Sequence, residues 1–592
     1  MTTRPIGSLF SVFPAEGRGR RSSLGRFSAW RAAWAVFLLC AATAIAAPAQ
    51  TFNTLAKFNG NYGALPQQMS LVQGIDGNFY GTASYLGEGL KPAGTFFEIT
   101  PGGTLTAPYS FCAQLNCYDG YYPRAPLVLD TKGNFYGTTS YSDLISTDHP
   151  GTFFEITPEG VLTPLHDFNA TEGLHPDGAL VLATDGNFYG TAAFGGVHGY
   201  GTVFKITPEG DLTKLYDFDS FPHGAIPVAG LVQAIDGNFY GTTYWGGAYG
   251  GGTIFKITPG GTLTTLYSFC AQTKCTDGNH TWATLVQATD GNFYGTTVAG
   301  GSTSTCPVSG GCGTVFKITP DGLKTTTLYS FCTEPNCAYG GVPLAGLIQA
   351  TDGEFYGTTT VGGTYGDGTI FTITPEGAPA SLHSFDGADG LGPYGALFQA
   401  TNGTFYGTTR QGGDLTCLPP NGCGTVFSLP LGLHPFVSLL GSPAKVGQTL
   451  GILGQGFTED SSVFINGTPL TLTSNSDNFL TATVPNGATS GRVTVITPPS
   501  AMLISNVPFR VTPQLSSFSP TSGAVGTQVT ITGVSLTQTI GVGFGDGVPA
   551  DFTVNSDSQV TATVPTGAKT GRIRIRTRGG LAVSTDTFTV TP

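Results

Sequence analysis

Charged side chains are scarce in this sequence, at 10% of its 592 residues, while aromatic side chains make up 11%. A chain with little charge and many aromatic residues buries its surface readily, which argues against disorder. The formal net charge is −12. Because an acidic surface repels phosphate backbones, we expect no nucleic-acid partner. One basic run alternates along a predicted strand and is interpreted as a solvated face: Arg572, Arg574, Arg576 and Arg578.

Catalytic and metal-binding motifs are also missing. There is no GxSxG turn for a nucleophilic serine and no HExxH for zinc, and the eight histidines are scattered between His149 and His434. The acidic segment from Asp386 to Asp389 lacks the alternating carboxylates of a calcium loop. We therefore expect no catalytic residues, no metal site and no cofactor, and the protein is predicted not to be an enzyme.

Long apolar runs are limited to the N-terminus. An arginine-rich stretch precedes an apolar segment from Ala32 to Ala47, which is too short for a comfortable membrane span. The small residues at 47–49 then offer a cleavage site. Residues 1–49 are therefore predicted to be a signal peptide. The mature chain is expected to be exported, to lie outside the cell or on its surface, and to have no membrane span.

Glycine, in contrast, is abundant at 88 residues, and it accompanies an internal repeat. The phrase DGNFYGT, or a close variant, recurs seven times at intervals of 50 to 62 residues. Such self-similarity indicates one small unit that is stacked on its neighbours until its apolar faces are buried. The tyrosines of the seven copies are Tyr80, Tyr136, Tyr189, Tyr240, Tyr294, Tyr356 and Tyr406.

Each repeat predicts four antiparallel strands, as in the copy that starts at Gly178. GALVLAT is an apolar run typical of a buried strand, and the DG dipeptide marks a tight hairpin before NFYGTA. After a glycine-rich connection, GTVFKITP predicts a third strand that ends at Pro208, and a short turn leads into DLTKLYDF. Four antiparallel strands in about 50 residues are typical of one propeller blade.

The third and fourth predicted strands each occur seven times, but the first fourth-strand pattern comes before the first third-strand pattern in the chain. TFNTLAKF, at residues 51–58, has the pattern of a fourth strand and precedes any complete repeat, while the last repeat has no fourth strand of its own. Pairing between the two would close a ring and remove its exposed edges. We predict an all-β fold in which residues 50–431 form a seven-bladed β-propeller closed by an N-terminal strand. An open solenoid is the alternative.

The C-terminal part of the chain contains a second repeat. From about residue 433 the composition shifts to threonine, serine and valine, and the segments LTATVPNGATSGRVTVIT and VTATVPTGAKTGRIRIRT correspond to each other. Each belongs to about 80 residues of alternating strand and turn patterns without cysteine or tryptophan. These patterns predict two Ig-like β-sandwich domains, at residues 432–512 and 513–592.

Eleven cysteines are present, and ten of them form five close pairs after the predicted signal peptide. In an exported chain an even number of cysteines indicates disulfides, and metal binding is the alternative. Each bond would close a loop of six or seven residues and stabilise it locally. The predicted disulfides are Cys112 with Cys117, Cys270 with Cys275, Cys306 with Cys312, Cys332 with Cys337, and Cys417 with Cys423.

The repeated Phe-Tyr pairs and the repeated turn aspartates each allow two interpretations. The aromatic pairs lie within every second strand, which favours packing between blades over a ring of stacking platforms for sugars. The aspartates precede glycine in tight turns, where the side chain bonds its own backbone, which favours a turn over a calcium ligand. These aspartates are Asp76, Asp185, Asp236, Asp290 and Asp352.

The variable connections are the predicted functional surface. If the strands run outward from the centre, the connections from second to third strands and from fourth strands to the next repeat share one face. They vary in length and hold all five cysteine pairs, as expected of binding loops on a rigid scaffold. Aromatic side chains there suit a carbohydrate or an extracellular protein, and packing beneath the loops is the alternative. The candidate contacts are Tyr85, Tyr200, Trp245, Tyr249, Trp282 and Tyr365.

Two families share these motifs. The phrases DGNFYGTT and GTVFKITP, repeated over about residues 51–430, resemble the GloVer-type tandem repeat family, also called choice-of-anchor. That resemblance implies an exported bacterial protein and supplies no catalytic residues. The segments SPTSGAVGTQVTITG and VTATVPTGAKTG resemble IPT/TIG domains, which implies an Ig-like fold and a role as spacer or interaction module.

The sequence therefore favours a secreted, non-catalytic recognition or scaffold protein. It would bind a glycan or protein partner through the loops of the propeller, which two Ig-like spacers would hold away. One alternative is a hydrolase or lyase that acts on polysaccharide in the propeller cleft, which predicts several carboxylates near the axis. The other is a purely structural component of the cell surface, which predicts self-association.

Overall fold

The computed structural model describes residues 51–67, 70–87, 93–142, 150–301, 306, 308–441, 443–499, 501–545 and 547–592. Thr51–Pro592 forms one compact unit. The described residues contain β-strands, turns and short 3-10 helices but no α-helix, which confirms the all-β class. No helix in this part of the chain is long and apolar enough to cross a membrane. The predicted signal peptide and Cys40 lie outside the described residues.

The repeat region consists of four-stranded antiparallel sheets in which consecutive strands are neighbours. The first strands contain two residues each: β2 (Val72–Gln73), β7 (Val128–Leu129), β11 (Val181–Leu182), β15 (Val232–Gln233), β19 (Val286–Gln287), β23 (Ile348–Gln349) and β27 (Phe398–Gln399). The second strands are β3 (Phe79–Ala83), β8 (Phe135–Tyr141), β12 (Phe188–Ala192), β16 (Phe239–Thr243), β20 (Phe293–Thr297), β24 (Phe355–Thr359) and β28 (Phe405–Thr409). An additional strand, β6 (Tyr121–Pro123), pairs with the end of β8.

The third and fourth strands complete these sheets. The third strands are β4 (Thr95–Ile99), β9 (Thr152–Ile156), β13 (Thr202–Ile206), β17 (Thr253–Ile257), β21 (Thr314–Ile318), β25 (Thr369–Ile373) and β29 (Thr425–Leu429). The fourth strands are β5 (Leu105–Ser110), β10 (Leu162–Asp167), β14 (Leu212–Asp217), β18 (Leu263–Ser268), β22 (Thr325–Ser330) and β26 (Pro379–Ser384). The second strands are buried along their length, and the fourth strands are partly exposed, as expected at an outer edge.

A glycine in each second strand makes room for the neighbouring third strand. A Cβ atom on Gly241 would lie 2.7 Å from Cζ of Phe255, on the adjacent strand, and 2.7 Å from Cδ2 of Leu231. Both distances are well inside van der Waals contact, so any side chain here would displace the core. The invariant glycine of the FYG phrase is therefore a packing requirement.

The first strand of the chain pairs with the last strand of the repeat region. β1 (Asn53–Lys57) is antiparallel to β29, with Asn53 opposite Ser428 and Lys57 opposite Thr425. The resulting sheet has the order β1-β29-β28-β27, so that β1 occupies the position of a fourth strand. Phe58 continues the pairing, because its N–H donates to the Gly424 carbonyl oxygen at 3.0 Å.

Neighbouring sheets contact each other through the repeated Phe-Tyr pairs. The tyrosine of one second strand packs against the phenylalanine of the next, with ring centroids 4.0 Å apart for Tyr189 and Phe239. The same contact joins the last sheet to the first, at 4.2 Å between Tyr406 and Phe79. Tyr189 is 1% exposed and Tyr406 is 4% exposed. The pairs therefore pack between sheets, as predicted, and their ring faces are not available to a ligand.

Glutamine side chains add hydrogen bonds between most of these sheets. The N–H of Thr184 donates to Oε1 of Gln233 in the next sheet at 3.0 Å. The N–H of Thr401, in the last sheet, donates to Oε1 of Gln73 in the first at 3.1 Å. The contacts between the last and first sheets therefore repeat those between sheets that are adjacent in sequence.

The C-terminal residues form two β-sandwiches. The strands of the first sandwich are β30 (Ser438–Leu440), β31 (Thr449–Leu453), β32 (Ser462–Ile465), β33 (Thr468–Pro469), β34 (Thr471–Asn475), β35 (Phe479–Thr483), β36 (Val493–Thr497) and β37 (Ala501–Ile504), in two sheets with the orders β30-β31-β35-β34 and β33-β32-β36-β37. The strands of the second are β38 (Gln514–Ser519), β39 (Ser522–Gly523), β40 (Gln528–Val534), β41 (Thr539–Phe544), β42 (Val548–Ala550), β43 (Phe552–Ser556), β44 (Gln559–Thr563), β45 (Gly571–Thr577) and β46 (Gly580–Val590), in two sheets with the orders β38-β40-β44-β43 and β39-β46-β45-β41-β42. Each sandwich has its own apolar core.

The first sandwich packs directly against the repeat region, which differs from the expected role as a spacer. Leu453 and Phe479 share an apolar core with Tyr80 and Phe135 of the first two repeat sheets. Nδ2 of Asn478 also donates to the carbonyl oxygen of Asp76, in a hairpin turn, at 3.0 Å. The sequence shows these apolar side chains only as part of a sandwich pattern, so their contact across domains could not be predicted.

Candidate functional site

The variable connections meet on one side of the repeat sheets, which we call the loop face. It comprises the connections from second to third strands and from fourth strands to the next first strand. Short bridges link the two kinds of connection, as between Ala225 and Trp245 and between Leu174 and Phe194. The hairpin turns between first and second strands lie at the other end of the sheets.

One backbone position on the loop face has an unusual conformation in every sheet. It lies just before the first strand, and its φ angle is between 52° and 59°. Side chains other than glycine rarely adopt this left-handed region, and β-branched residues such as Ile226 and Val342 do so at a cost of about 1–3 kcal/mol. The residue type varies between sheets, with histidine at two of the seven positions: Leu65, Tyr122, His175, Ile226, His280, Val342 and Gly392. A fixed backbone thus presents varied side chains from sheet to sheet.

Four aromatic side chains form a cluster on the loop face, which we call the Trp245 cluster: Tyr244, Trp245, His280 and Trp282. The ring centroids of Trp245 and His280 are 4.1 Å apart, and those of Tyr244 and His280 are 4.7 Å apart and stacked. Trp282 meets the edge of Tyr244 at 5.2 Å. The structure therefore brings together the two predicted tryptophans through two residues that the sequence analysis missed.

His280 is held in the Trp245 cluster as a largely neutral ring. Burial lowers the pKa of His280, although a hydrogen bond of 2.9 Å between its Nδ1 and the Tyr244 carbonyl oxygen opposes that effect. Trp245 itself is 46% exposed. The cluster therefore presents an uncharged aromatic surface at neutral pH, with one indole open to solvent.

A second set of aromatic side chains covers the first three sheets. Tyr85 stacks on Tyr122 at 5.9 Å, and Tyr141 meets the edge of His175 at 4.6 Å. His175 in turn meets Phe194 at 5.3 Å. Of these residues only Tyr85 is a predicted contact.

The other predicted contacts are exposed but separate. Tyr200 is 43% exposed, Tyr249 is 59% exposed and Tyr365 is 64% exposed. None of them has a ring contact with another aromatic side chain in the described parts of the chain. Their role as ligand contacts stays a prediction.

A cavity of about 310 Å³ opens between the segments that lead into the first strands of several sheets. Among its described lining residues, Asp177 is the only one with a carboxylate. Oδ2 of Asp177 lies 3.7 Å from Nη1 of Arg124, and its Oδ1 accepts a hydrogen bond from the Ser140 hydroxyl. A hydrolase with two carboxylates would need a second one here. The side chains that line the cavity include Pro126, Asp177, Val228, Trp282, Leu344 and Tyr394.

The five predicted disulfides are present, and they brace the connections of the loop face. Buried carboxylates support two of them. Asp119 accepts hydrogen bonds from the Tyr109 hydroxyl and from two backbone N–H groups beside Cys112, and Asp277 does the same beside Cys270. The Sγ atoms of Cys306, Cys312 and Cys332 lie within 4.8 Å of one another, but all three cysteines belong to disulfides.

The fold and the loop face define a repeat protein of four-stranded sheets with two Ig-like modules. Residues 42–235 and 220–427 match the sequence model of the Gloeobacter/Verrucomicrobia repeat. The chain belongs to this repeat family, as the motifs predicted. Residues 435–511 and 513–590 match the IPT/TIG domain.

Comparison with other proteins adds distant similarities. No curated protein matches the sequence. Virginiamycin B lyase from Staphylococcus aureus is 13% identical with a TM-score of 0.42, over 64% of this chain and 99% of the lyase. A fungal alcohol oxidase of the AA5 family, in complex with copper, is 14% identical with a TM-score of 0.47, over 78% of this chain and 100% of the oxidase. The surface glycan-binding protein PbSGBP-B from Prevotella bryantii is 19% identical with a TM-score of 0.20, over 26% of this chain and 39% of that protein.

Proposed function

We propose that the repeat sheets form a closed, seven-bladed β-propeller that acts as an extracellular, non-catalytic recognition protein. Its partner, a glycan or a protein, would bind on the loop face at the Trp245 cluster. The observation that carries this proposal is the cluster itself, in which side chains from separate sheets join into one partly exposed aromatic surface.

Closure of the ring is supported by three independent contacts between the last and first sheets. β1 pairs with β29, Tyr406 packs on Phe79, and Thr401 donates to Gln73. Each repeats a contact that joins or completes the other sheets. With β1 in place, β29 is covered by a fourth strand as the other third strands are, so the last sheet ends in the same kind of short outer edge as its neighbours.

Recognition by the Trp245 cluster follows from its composition. Aromatic rings offer apolar faces to the CH groups of a sugar and are also enriched where proteins bind each other. The cluster is built on short bridges and a fixed backbone, so little order would be lost on binding. Rigid aromatic surfaces of this kind are typical anchors of a binding site.

The non-catalytic and extracellular parts of the proposal have separate support. The cavity beside the cluster has one lining carboxylate among the described residues, and that carboxylate is paired with Arg124. Five disulfides are typical of proteins that fold in an oxidising compartment.

Binding to a panel of immobilised glycans, followed by calorimetry on the best ligand, tests the proposal. Trp245→Ala should weaken that binding at least tenfold, because hot-spot aromatic residues contribute about 2 kcal/mol or more. Leu323→Ala removes an exposed apolar side chain from the turn between β21 and β22, outside the loop face, and should change it less than twofold. Absence of binding to all glycans and cell-envelope proteins, or equal binding by both variants, would contradict the proposal.

A further inference from the structure

Four exposed arginines follow one another along the outer face of the second sandwich, and we call them the arginine row: Arg572, Arg574, Arg576 and Arg578. The first three lie at alternate positions of β45, and the residues between them are buried, so the three side chains leave the same face of the sheet. Arg578 directly follows β45 and is also exposed. Alternate residues of a strand are about 7 Å apart, so the row is about 20 Å long.

The first sandwich shows that the fold does not need these arginines. Segments 480–497 and 560–577 correspond residue by residue, and β36 has the same place in the first sandwich as β45 in the second. The buried positions of both strands are occupied by valine or isoleucine. On the outer face, Thr494 and Ile496 of β36 stand where β45 has Arg574 and Arg576. The sandwich forms with either set, so the arginine row needs another explanation.

No carboxylate neutralises the arginine row. None of its four members makes an ion pair with a carboxylate among the described residues. Asp185 and Asp236 line a cleft between the sandwiches and the repeat sheets, but each of them is paired with a lysine of its own sheet. The row therefore keeps its positive charge.

The surface beside the arginine row is apolar on one side and open on the other. Val583 and Leu581 of β46 lie opposite Arg574 and Arg576, and both are exposed. On the other side, Gly541 of β41 lies opposite Arg576, and a Cβ atom there would meet nothing within 4 Å. This arrangement offers charge, apolar contact and free space along one strand, which suits a thin chain.

The distribution of charge in the molecule indicates which kind of anion fits. Residues 51–431 contain 29 acidic and 11 basic side chains, whereas residues 513–592 contain four acidic and five basic ones. A membrane, a nucleic-acid duplex or a second copy of this chain would bring a large negative surface towards the acidic repeat sheets and be repelled by them. A thin acidic polymer can contact the arginine row with less of that repulsion.

We propose that the arginine row is a second binding site, for a linear polysaccharide that carries carboxylate or sulfate groups. The guanidinium groups donate paired hydrogen bonds to these anions, and Leu581 and Val583 contact the CH groups of the sugar rings. This site goes beyond the proposed function, because it shares no residue with the Trp245 cluster and does not depend on it.

Surface plasmon resonance on immobilised dextran sulfate and polygalacturonate tests the inference, with dextran as the uncharged control. The wild-type protein should bind the acidic polymers and not dextran, and added salt should weaken the binding. Arg574→Thr combined with Arg576→Ile introduces the side chains of the first sandwich and should weaken binding about tenfold, because two charged contacts are lost. Lys324→Gln combined with Lys445→Gln removes two exposed charges elsewhere and should bind as the wild type does.

Several outcomes would overturn the inference. The first two need no variant: equal binding of the wild-type protein to dextran and the acidic polymers, or no binding to either acidic polymer at low salt. Unchanged binding by the arginine variant, at a wild-type midpoint of denaturant unfolding, would also contradict it. Binding of only one acidic polymer, lost in the arginine variant, supports the site and identifies its anionic group.

Two further comparisons separate the arginine row from other surfaces and other anions. Trp245→Ala should leave binding of the acidic polymers unchanged. If it weakens that binding and the arginine variant does not, the polymer lies on the loop face and the inference is wrong. If phosphatidylglycerol vesicles or duplex DNA bind more tightly than both polymers, and the arginine variant loses that binding, the assignment to a polysaccharide is wrong.

Discussion

The hairpin turns carry the same side chains in most sheets, whereas the loop face carries different side chains on the same backbone. In the turn of the fourth sheet, Asp236 accepts hydrogen bonds from the N–H of Asn238, the Tyr240 hydroxyl and Nζ of Lys256. The corresponding residues of the third and fifth sheets repeat this arrangement. Side-chain contacts that repeat from sheet to sheet stabilise the fold, whereas side chains that differ between sheets are the candidates for recognition of a partner.

The turn carboxylates illustrate the first half of that contrast. Burial opposes ionisation of Asp290, but hydrogen bonds from Lys317 and Asn292 outweigh it and lower its pKa to about 2. Hydrogen bonds from the corresponding residues, Lys256 and Asn238, likewise outweigh burial and lower the pKa of Asp236. Both aspartates accept hydrogen bonds from the turn and the adjacent strands of their own sheet, which favours the interpretation as turn residues.

The largest effect should come from breaking the last sheet. Phe58 directly follows β1 and packs on Phe97 with ring centroids 5.1 Å apart, just as Phe218 directly follows β14 and packs on Phe255 at 5.3 Å. If the ring is closed, Phe58→Ala and Phe218→Ala should each lower the free energy of unfolding by about 3–5 kcal/mol. Chemical denaturation measures both. A much smaller loss for Phe58→Ala would show that the last sheet is not closed by β1.

A smaller effect is expected where a single hydrogen bond is removed from a hairpin turn. Tyr189→Phe keeps the ring that packs on Phe239 and deletes the bond of 2.9 Å from its hydroxyl to Asp185. Because that bond involves a charge, it should contribute about 1.5 kcal/mol. Tyr406→Phe is the control, since among the described residues its hydroxyl accepts one neutral hydrogen bond, from Nδ2 of Asn402, and the change should cost about 0.5 kcal/mol. Equal costs from denaturant unfolding would contradict this ranking.

The smallest effect concerns acid stability. The pKa of Asp290 is about 2 in the folded protein against 3.8 for the unperturbed group, so its stabilising contribution is present above pH 3.8 and is lost as the pH falls through 2. The melting temperature of Asp290→Asn should therefore lie below that of the wild type at pH 5 and converge with it near pH 2. Asp211→Asn, which removes a charge from an exposed turn, should show no such convergence. A difference that stays constant with pH would be inconsistent with the hydrogen-bonded turn.

The strands were predictable because they rest on local signals. Proline follows the third strands, as Pro208 follows β13, glycine marks the hairpin turns, and the unpaired TFNTLAKF segment was enough to anticipate the pairing of β1 with β29. The five disulfides followed from spacing in the same way. These features depend on residues that are close in sequence or that recur with the repeat, so a single sequence contains them.

The site could be predicted only in part. Trp245 and Trp282 were identified as non-repeated aromatic side chains, but Tyr244 and His280, which join them, were not. Arg124 and Asp177 precede the first strands of two neighbouring sheets and meet, at 3.7 Å, only when those sheets pack together. The left-handed backbone of Ile226 gives no local signal, because β-branched residues normally avoid it. Only the neighbouring sheets determine these features.

The position of β1 also sets an order of events in biosynthesis. Lys57 donates to the carbonyl oxygen of Gly413, 356 positions later in the chain. β1 must therefore stay unpaired until β29, near the end of the repeat region, has been synthesised. Joining such distant segments is slow because the intervening chain loses entropy. A nascent chain that stalls before Thr425 would have an unpaired strand edge at each end of the repeat region. Unpaired edges promote aggregation, so the chain is most prone to aggregate while it is still being translated.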